Sequence, residues 1–103
     1  MDRLIVCRTC AGGADFAAAI QARVPAGVRV ETVECMNLCE TPVALALRGP
    51  GKDAYLFAGI DPARDRADAL ALARLYREAP DGRIADARPA GRLRQCLVGR
   101  VPG

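Results

Sequence analysis

Leu4-Ile5-Val6-Cys7-Arg8-Thr9-Cys10-Ala11-Gly12-Gly13 is the stretch from which the fold is read. Its first residues are apolar and β-branched and predict a short buried strand. Cys7 to Gly13 breaks that strand with two cysteines and two glycines, a loop composition. Asp15, or Gly13 and Ala14 just before it, can open a helix through Phe16, Ala19, Ile20 and Arg23, which Pro25-Ala26-Gly27 closes. Val28, Val30 and Thr32 then alternate with Arg29, Glu31 and Val33, a second strand that ends at Glu34, directly before Cys35. Two strands joined by one helix run parallel through a right-handed crossover. Parallel strands end at the same edge of their sheet, so both cysteine loops are expected to project from one edge, the place where α/β sheets commonly bind ligands.

The remainder extends this unit. Cys35-Met36-Asn37-Leu38-Cys39-Glu40-Thr41-Pro42 forms the second cysteine loop, and Pro42 opens a third strand, Val43 to Leu47, at a position where a missing N–H does little harm. Gly49-Pro50-Gly51-Lys52 is a turn into a fourth strand, Ala54 to Ala58. Asp61 as N-cap and Pro62 at the first helical position start a second helix, which Pro80-Asp81-Gly82 stops. Leu93 to Val101 reads as a short strand or an extended arm. The order β-α-β-β-β-α predicts an α/β, thioredoxin-like domain with a mixed four-stranded sheet. The 103 residues form one domain, 1–103, with a basic tail at about 83–103.

Composition narrows the chemistry. Five cysteines without a secretory leader point to a cytoplasmic protein whose thiols are used for metal or redox work rather than structural disulfides. No apolar run approaches the ~18 residues of a membrane span. The absence of histidine excludes Cys/His dyads, Ser-His-Asp triads, Rieske ligation and Cys₂His₂ zinc sites together. The net charge is +3, with fourteen arginines and one lysine. Arg83, Arg88, Arg92, Arg94 and Arg100 face only Asp86 beyond Gly82. Without interleaved aromatics or a binding motif this is read as a solvated basic face or a docking patch for an acidic partner, not a nucleic-acid surface.

Cys7, Cys10, Cys35 and Cys39 are therefore the candidate ligands of one all-thiolate site. Two pairs of thiolates suit a [2Fe–2S] cluster, which needs two per iron. They suit a structural Zn(Cys)₄ site by the same donors. Cys7-x-x-Cys10 alone would suit a thiol–disulfide oxidoreductase, although Ala11-Gly12-Gly13 separates it from the helix start that such chemistry uses. Gly12 and Gly13 would let backbone approach the sulfides, and Met36, Asn37 and Leu38 would cover them. Buried, inert cysteines are the bland alternative, and the reading adopted for Cys96.

Cys35-Met36-Asn37-Leu38-Cys39-Glu40-Thr41-Pro42-Val43, followed by a hydrophobic strand and Gly51-Lys52-Asp53-Ala54-Tyr55, resembles the thioredoxin-like [2Fe–2S] ferredoxins. Nearly the whole chain is also similar to a family of small uncharacterised predicted metal-binding proteins. The matching features are the two cysteine pairs, Gly51-Lys52, Asp61-Pro62, Pro80-Asp81-Gly82 and Arg100-Val101-Pro102. The first cysteine pair of the ferredoxins is more widely spaced than Cys7-x-x-Cys10. The resemblance implies a [2Fe–2S] cluster rather than zinc, a homodimer, and a one-electron carrier that is not an enzyme and works with a reductase or acceptor protein. Arg8, Asn37, Glu40 and Thr41 are the expected docking rim for that partner.

Overall fold

The computed structural model describes residues 1–8, 12–34 and 43–103. The first strand, β1 (Asp2–Cys7), buries Leu4 and Val6 completely. The first helix, α1 (Gly13–Gln21), begins two residues before Asp15 because Gly12 takes a left-handed conformation, φ 79°, and its carbonyl accepts the Phe16 N–H at 3.0 Å. Phe16, Ala17 and Ile20 recur at helical spacing and bury the face turned to the sheet. The second strand, β2 (Val28–Val33), covers the predicted alternation and stops one residue before the expected end at Glu34, and pairs parallel with β1 from Asp2↔Val28 to Cys7↔Val33.

The hairpin follows as β3 (Leu45–Arg48) and β4 (Ala54–Phe57), with β3 antiparallel to both β1 and β4. Its turn is closed by Lys52 N–H to Gly49 O at 3.1 Å. Pro50 and Gly51 (φ 71°) hold the two central positions, as a type II turn requires. Val43 precedes β3 and exchanges two backbone hydrogen bonds with Ile60, at 3.0 and 3.2 Å. The second helix, α2 (Arg66–Glu78), starts four residues after Pro62. Asp61 does act as a cap, accepting the Ala63 and Arg64 N–H groups at 2.9 Å, but of a separate turn that precedes the helix.

The sheet is five-stranded, which corrects the expected four. After a kinked 3₁₀ segment (Arg88–Cys96), the tail forms β5 (Leu97–Val101), antiparallel to β4, giving the order β2-β1-β3-β4-β5. Two forces draw it there. Ala90, Leu93 and Cys96 are buried among the core residues, and the buried Asp53 carboxylate accepts Gly103 N–H at 2.9 Å and Arg100 Nη1 at 3.0 Å. The basic tail is thus largely neutralised within the fold. Arg83 and Arg100 pair with Asp53, Arg88 with Asp86 and Arg92 with Asp65, while Arg94 donates to Gly91 O.

Leu4, Val6, Leu45, Leu47 and Phe57 share one sheet face with Phe16, Ile20, Leu72, Tyr76 and Leu93 in a single core. The opposite face carries Arg3, Ile5, Ala46, Arg48, Ala54 and Leu56, and is partly open to solvent. Among the described residues, no helix is long and apolar enough to cross a membrane.

Candidate functional site

Cys7 is the last residue of β1 and is 1% exposed. Its N–H donates to Ala44 O at 3.1 Å, so the approach to β3 lies directly beside it. Its Sγ lies 3.7 Å from Glu34 O, the carbonyl immediately before Cys35. One residue further on, Arg8 N–H donates to Val33 O at 2.9 Å and the Arg8 guanidinium meets the Glu34 carboxylate at 2.7 Å. That pair is exposed and contributes little stability. Its value is as a position marker: the chain leaving β1 and the chain leaving β2 are side by side.

The return points lie close by. A Cβ on Gly13 would stand 2.0 Å from Cys7 O, and one on Gly12 would stand 2.8 Å from Pro62 Cγ. From the sequence these glycines are expected to leave room for sulfides. In the structure Gly13 lets the first turn of α1 rest on the end of β1, and Gly12 supplies a left-handed cap against the 59–62 loop. Arg8, Gly12, Glu34 and Val43 flank the 9–11 and 35–42 segments, and these flanks gather around Cys7 at one sheet edge, as the parallel crossover requires. Cys10, Cys35 and Cys39, together with Met36, Asn37, Leu38, Glu40, Thr41 and Pro42, lie outside the described residues.

The donor chemistry fits a thiophilic metal. The four candidate ligands are all cysteines, no histidine exists to compete, and Cys7, the one candidate among the described residues, sits where water is excluded. The same burial is unfavourable for Cys7 as an attacking thiolate, which must be exposed to reach a disulfide. Cys96 lies at this end of the sheet too, just before β5, but three strand spacings from β1, about 14 Å. Burial among apolar neighbours pushes its thiol pKa up, and its Sγ lies 3.8 Å from Gly59 O and from Arg92 O. Its place is in the core.

Sequence reasoning missed two polar clusters that hold the surrounding frame. Asp65, 1% exposed, is held well below the usual carboxylate range, chiefly by its hydrogen bonds from Arg92; Asp61 N–H adds another at 2.7 Å. Arg92 also donates to Gly59 O at 2.9 Å, tying the 3₁₀ segment to the 59–65 loop against which Gly12 packs. At the far end, Lys52 Nζ reaches Asp2 at 2.7 Å and Tyr76 O at 2.9 Å, and the Tyr76 hydroxyl donates to Asp53 O at 2.6 Å. The Asp61-Pro-x-x-Asp65 spacing was the available signal for the first cluster, and the solitary lysine for the second.

No curated protein and no solved structure matches the chain. A family match does exist, and it runs from residue 4 to residue 103, taking in both cysteine pairs and the β5 tail. The chain belongs to the family described as "Protein of unknown function (DUF1636)".

Proposed function

We propose that the protein is a small one-electron carrier whose [2Fe–2S] cluster is held by Cys7, Cys10, Cys35 and Cys39. The observation that carries this reading is the gathering of Cys7, Arg8, Glu34 and the Gly12-Gly13 helix start at one sheet edge. Cys10 is two residues from Arg8, and Cys35 adjoins Glu34. A strand order of β2-β1-β3-β4, with β3 antiparallel to both neighbours, supports the thioredoxin-like reading of the fold. A [2Fe–2S] group, when bound, supplies one-electron redox chemistry at constant ligation. The chain's own part is to supply thiolates, to shield Cys7 from water, and to present Arg8 beside the site as part of a rim for a reductase or acceptor protein. The carrier would work as a homodimer in the cytoplasm, where thiols stay reduced.

Anaerobic purification with visible and electron paramagnetic resonance spectra tests the proposal. A red-brown protein that bleaches with dithionite and carries about two irons and two sulfides per chain supports it. A colourless protein with about one zinc per chain overturns it in favour of a structural site. A metal-free protein whose insulin reduction depends on Cys7 and Cys10 overturns it in favour of thiol exchange.

A further inference from the structure

The sheet face opposite the core, which carries no helix among the described residues, holds a charge arrangement that neither the core nor the cysteine edge explains. Arg29, Arg3 and Arg48 are register partners on the neighbouring strands β2, β1 and β3, so three guanidinium side chains stand in one row on the same face. Among the described residues one carboxylate answers them: Glu31, 3.4 Å from Arg3 and 3.5 Å from Arg29. Arg48 is exposed and makes no ion pair among the described residues. Like charges placed directly opposite on paired strands oppose folding.

A concavity of about 850 Å³ opens on this row. Its walls include Arg3, Arg48 and the Gly49–Lys52 turn, and its floor is apolar, made by Ala46, Ala54 and Leu56. Lys52 adds no free charge, because Asp2 neutralises it. Arg48, unpaired among the described residues, and Arg3, held only at 3.4 Å by Glu31, stand beside a small apolar floor. This matches an amphipathic anion better than a bare ion, since the floor has area to bury and the guanidinium forks suit an oxyanion.

We propose that this face binds a small organic oxyanion, a phosphate or carboxylate on an apolar body, with Arg3 and Arg48 gripping the anionic group. Arg3 stands four residues from Cys7 along β1, about 13 Å, so the site is separate from the candidate metal ligands and does not depend on their reading.

The test is titration of the full-length protein with phenyl phosphate and with benzoate, followed by amide chemical shifts and calorimetry. Inorganic phosphate and phenol serve as comparison ligands. Saturable shifts centred on Ala46, Arg48 and Leu56 are expected, with inorganic phosphate at least about tenfold weaker and phenol inert. Whichever of the two organic anions binds more tightly identifies the oxyanion. Arg48→Gln should weaken binding at least about tenfold. Without ligand, the same variant should melt about 2–4 °C higher by relief of the Arg3–Arg48 repulsion. Arg74→Gln, on the exposed side of α2, should change neither reading. No saturable shift for either organic anion, equal binding by Arg48→Gln, or binding no tighter than inorganic phosphate would overturn the proposal. So would a ligand-free Arg48→Gln protein that melts no higher than the parent.

Discussion

Gly13→Ala is a perturbation for which two physical rules give opposite signs. Gly13 is the first residue of α1, where exchanging glycine for alanine ordinarily favours the helix by up to about 1 kcal/mol. Packing says the reverse. The new Cβ would lie 2.0 Å from Cys7 O and 3.1 Å from Cys7 C. Carbon and carbonyl oxygen settle at about 3.3 Å or more, so the helix start and the end of β1 must separate by more than about 1 Å. The obstacle is backbone, which no rotamer change can move aside. Overpacking of this kind costs about 1–3 kcal/mol, and its upper end applies to a rigid neighbour. The net expectation is a loss of about 2 kcal/mol, which for a chain of this length lowers the melting temperature by roughly 10 °C. Gly51→Ala is the matched comparison. It has a left-handed backbone at φ 71° and no atom within 4 Å of its Cβ, so it bears only the conformational cost, about 1–2 kcal/mol. Thermal melts followed by far-UV circular dichroism decide the matter. A Gly13→Ala protein that melts at or above the parent temperature would show that α1 does not rest on Cys7, and the geometry of the cysteine edge would have to be redrawn.

Cys39→Ser should remove most of the visible absorption of an iron-loaded protein, whereas Cys96→Ser should leave the spectrum nearly unchanged; loss of the spectrum in Cys96→Ser would refute the ligand set. Arg92→Ala leaves the buried Asp65 carboxylate without its guanidinium, and denaturant titration should show a loss of about 2–3 kcal/mol at neutral pH. The folded-state pKa of Asp65 is lowered, so its contribution is present above the unfolded value of 3.8 and disappears as pH falls through the lower folded value. Melting temperature should therefore fall less steeply below about pH 4 in Arg92→Ala than in the parent, and parallel profiles would contradict the assignment. Tyr76 is pushed up to about 12, mainly by burial, so it keeps its proton in the folded protein where the unfolded chain would release it near 10. Its contribution is complete below pH 10 and is lost between about 10 and 12; Tyr76→Phe should lower stability by about 1–2 kcal/mol at neutral pH and flatten that alkaline decline.

The parallel β1-α1-β2 unit and the hairpin were legible because their signals are local. Alternation across Val28 to Val33 gives β2 its observed bounds, and a proline–glycine pair between two apolar runs admits few structures other than a turn. The tail was less legible because its signal is not local. Leu97-Val98-Gly99-Arg100-Val101 is short, glycine-containing and largely exposed. What makes it a strand is an open β4 edge and a carboxylate at Asp53, some fifty residues away in sequence. The helix start misled for a related reason. Asp61-Pro62 carries every mark of an N-terminus and does cap a turn, but Asp65 is drawn into the Arg92 pair, and α2 begins only after it. At the candidate site, the sequence indicated that both cysteine loops leave one edge. It did not indicate that Gly13 rests on the Cys7 carbonyl, since contact between a helix start and a strand end depends on tertiary packing.

Partners, rather than abundance, separate the arginines that stabilise this fold from those left for binding. In the tail, the sequence suggests a basic patch, yet Arg83, Arg88, Arg92 and Arg100 each meet a carboxylate, and two of those carboxylates, Asp53 and Asp65, are buried. Such arginines are structural, and removing one exposes its partner's desolvation cost. Arg66 and Arg74 form no ion pair among the described residues either, but they lie on the exposed surface of α2 where water solvates them at little cost. Arg48 belongs to neither group. It is fixed in a three-strand row opposite Arg3, so its charge acts against folding and no carboxylate among the described residues relieves it. The C-terminal end of β1 carries Cys7 and the N-terminal end gathers guanidinium groups, so one strand carries two chemistries about 13 Å apart. An anion bound at Arg3 would then lower the electrostatic potential at the cysteine edge only weakly, through a distance longer than the ~8 Å screening length of physiological salt. Ligand binding at one end and electron uptake at the other are therefore expected to be nearly independent, and a reduction potential that shifts strongly with phenyl phosphate would contradict that separation.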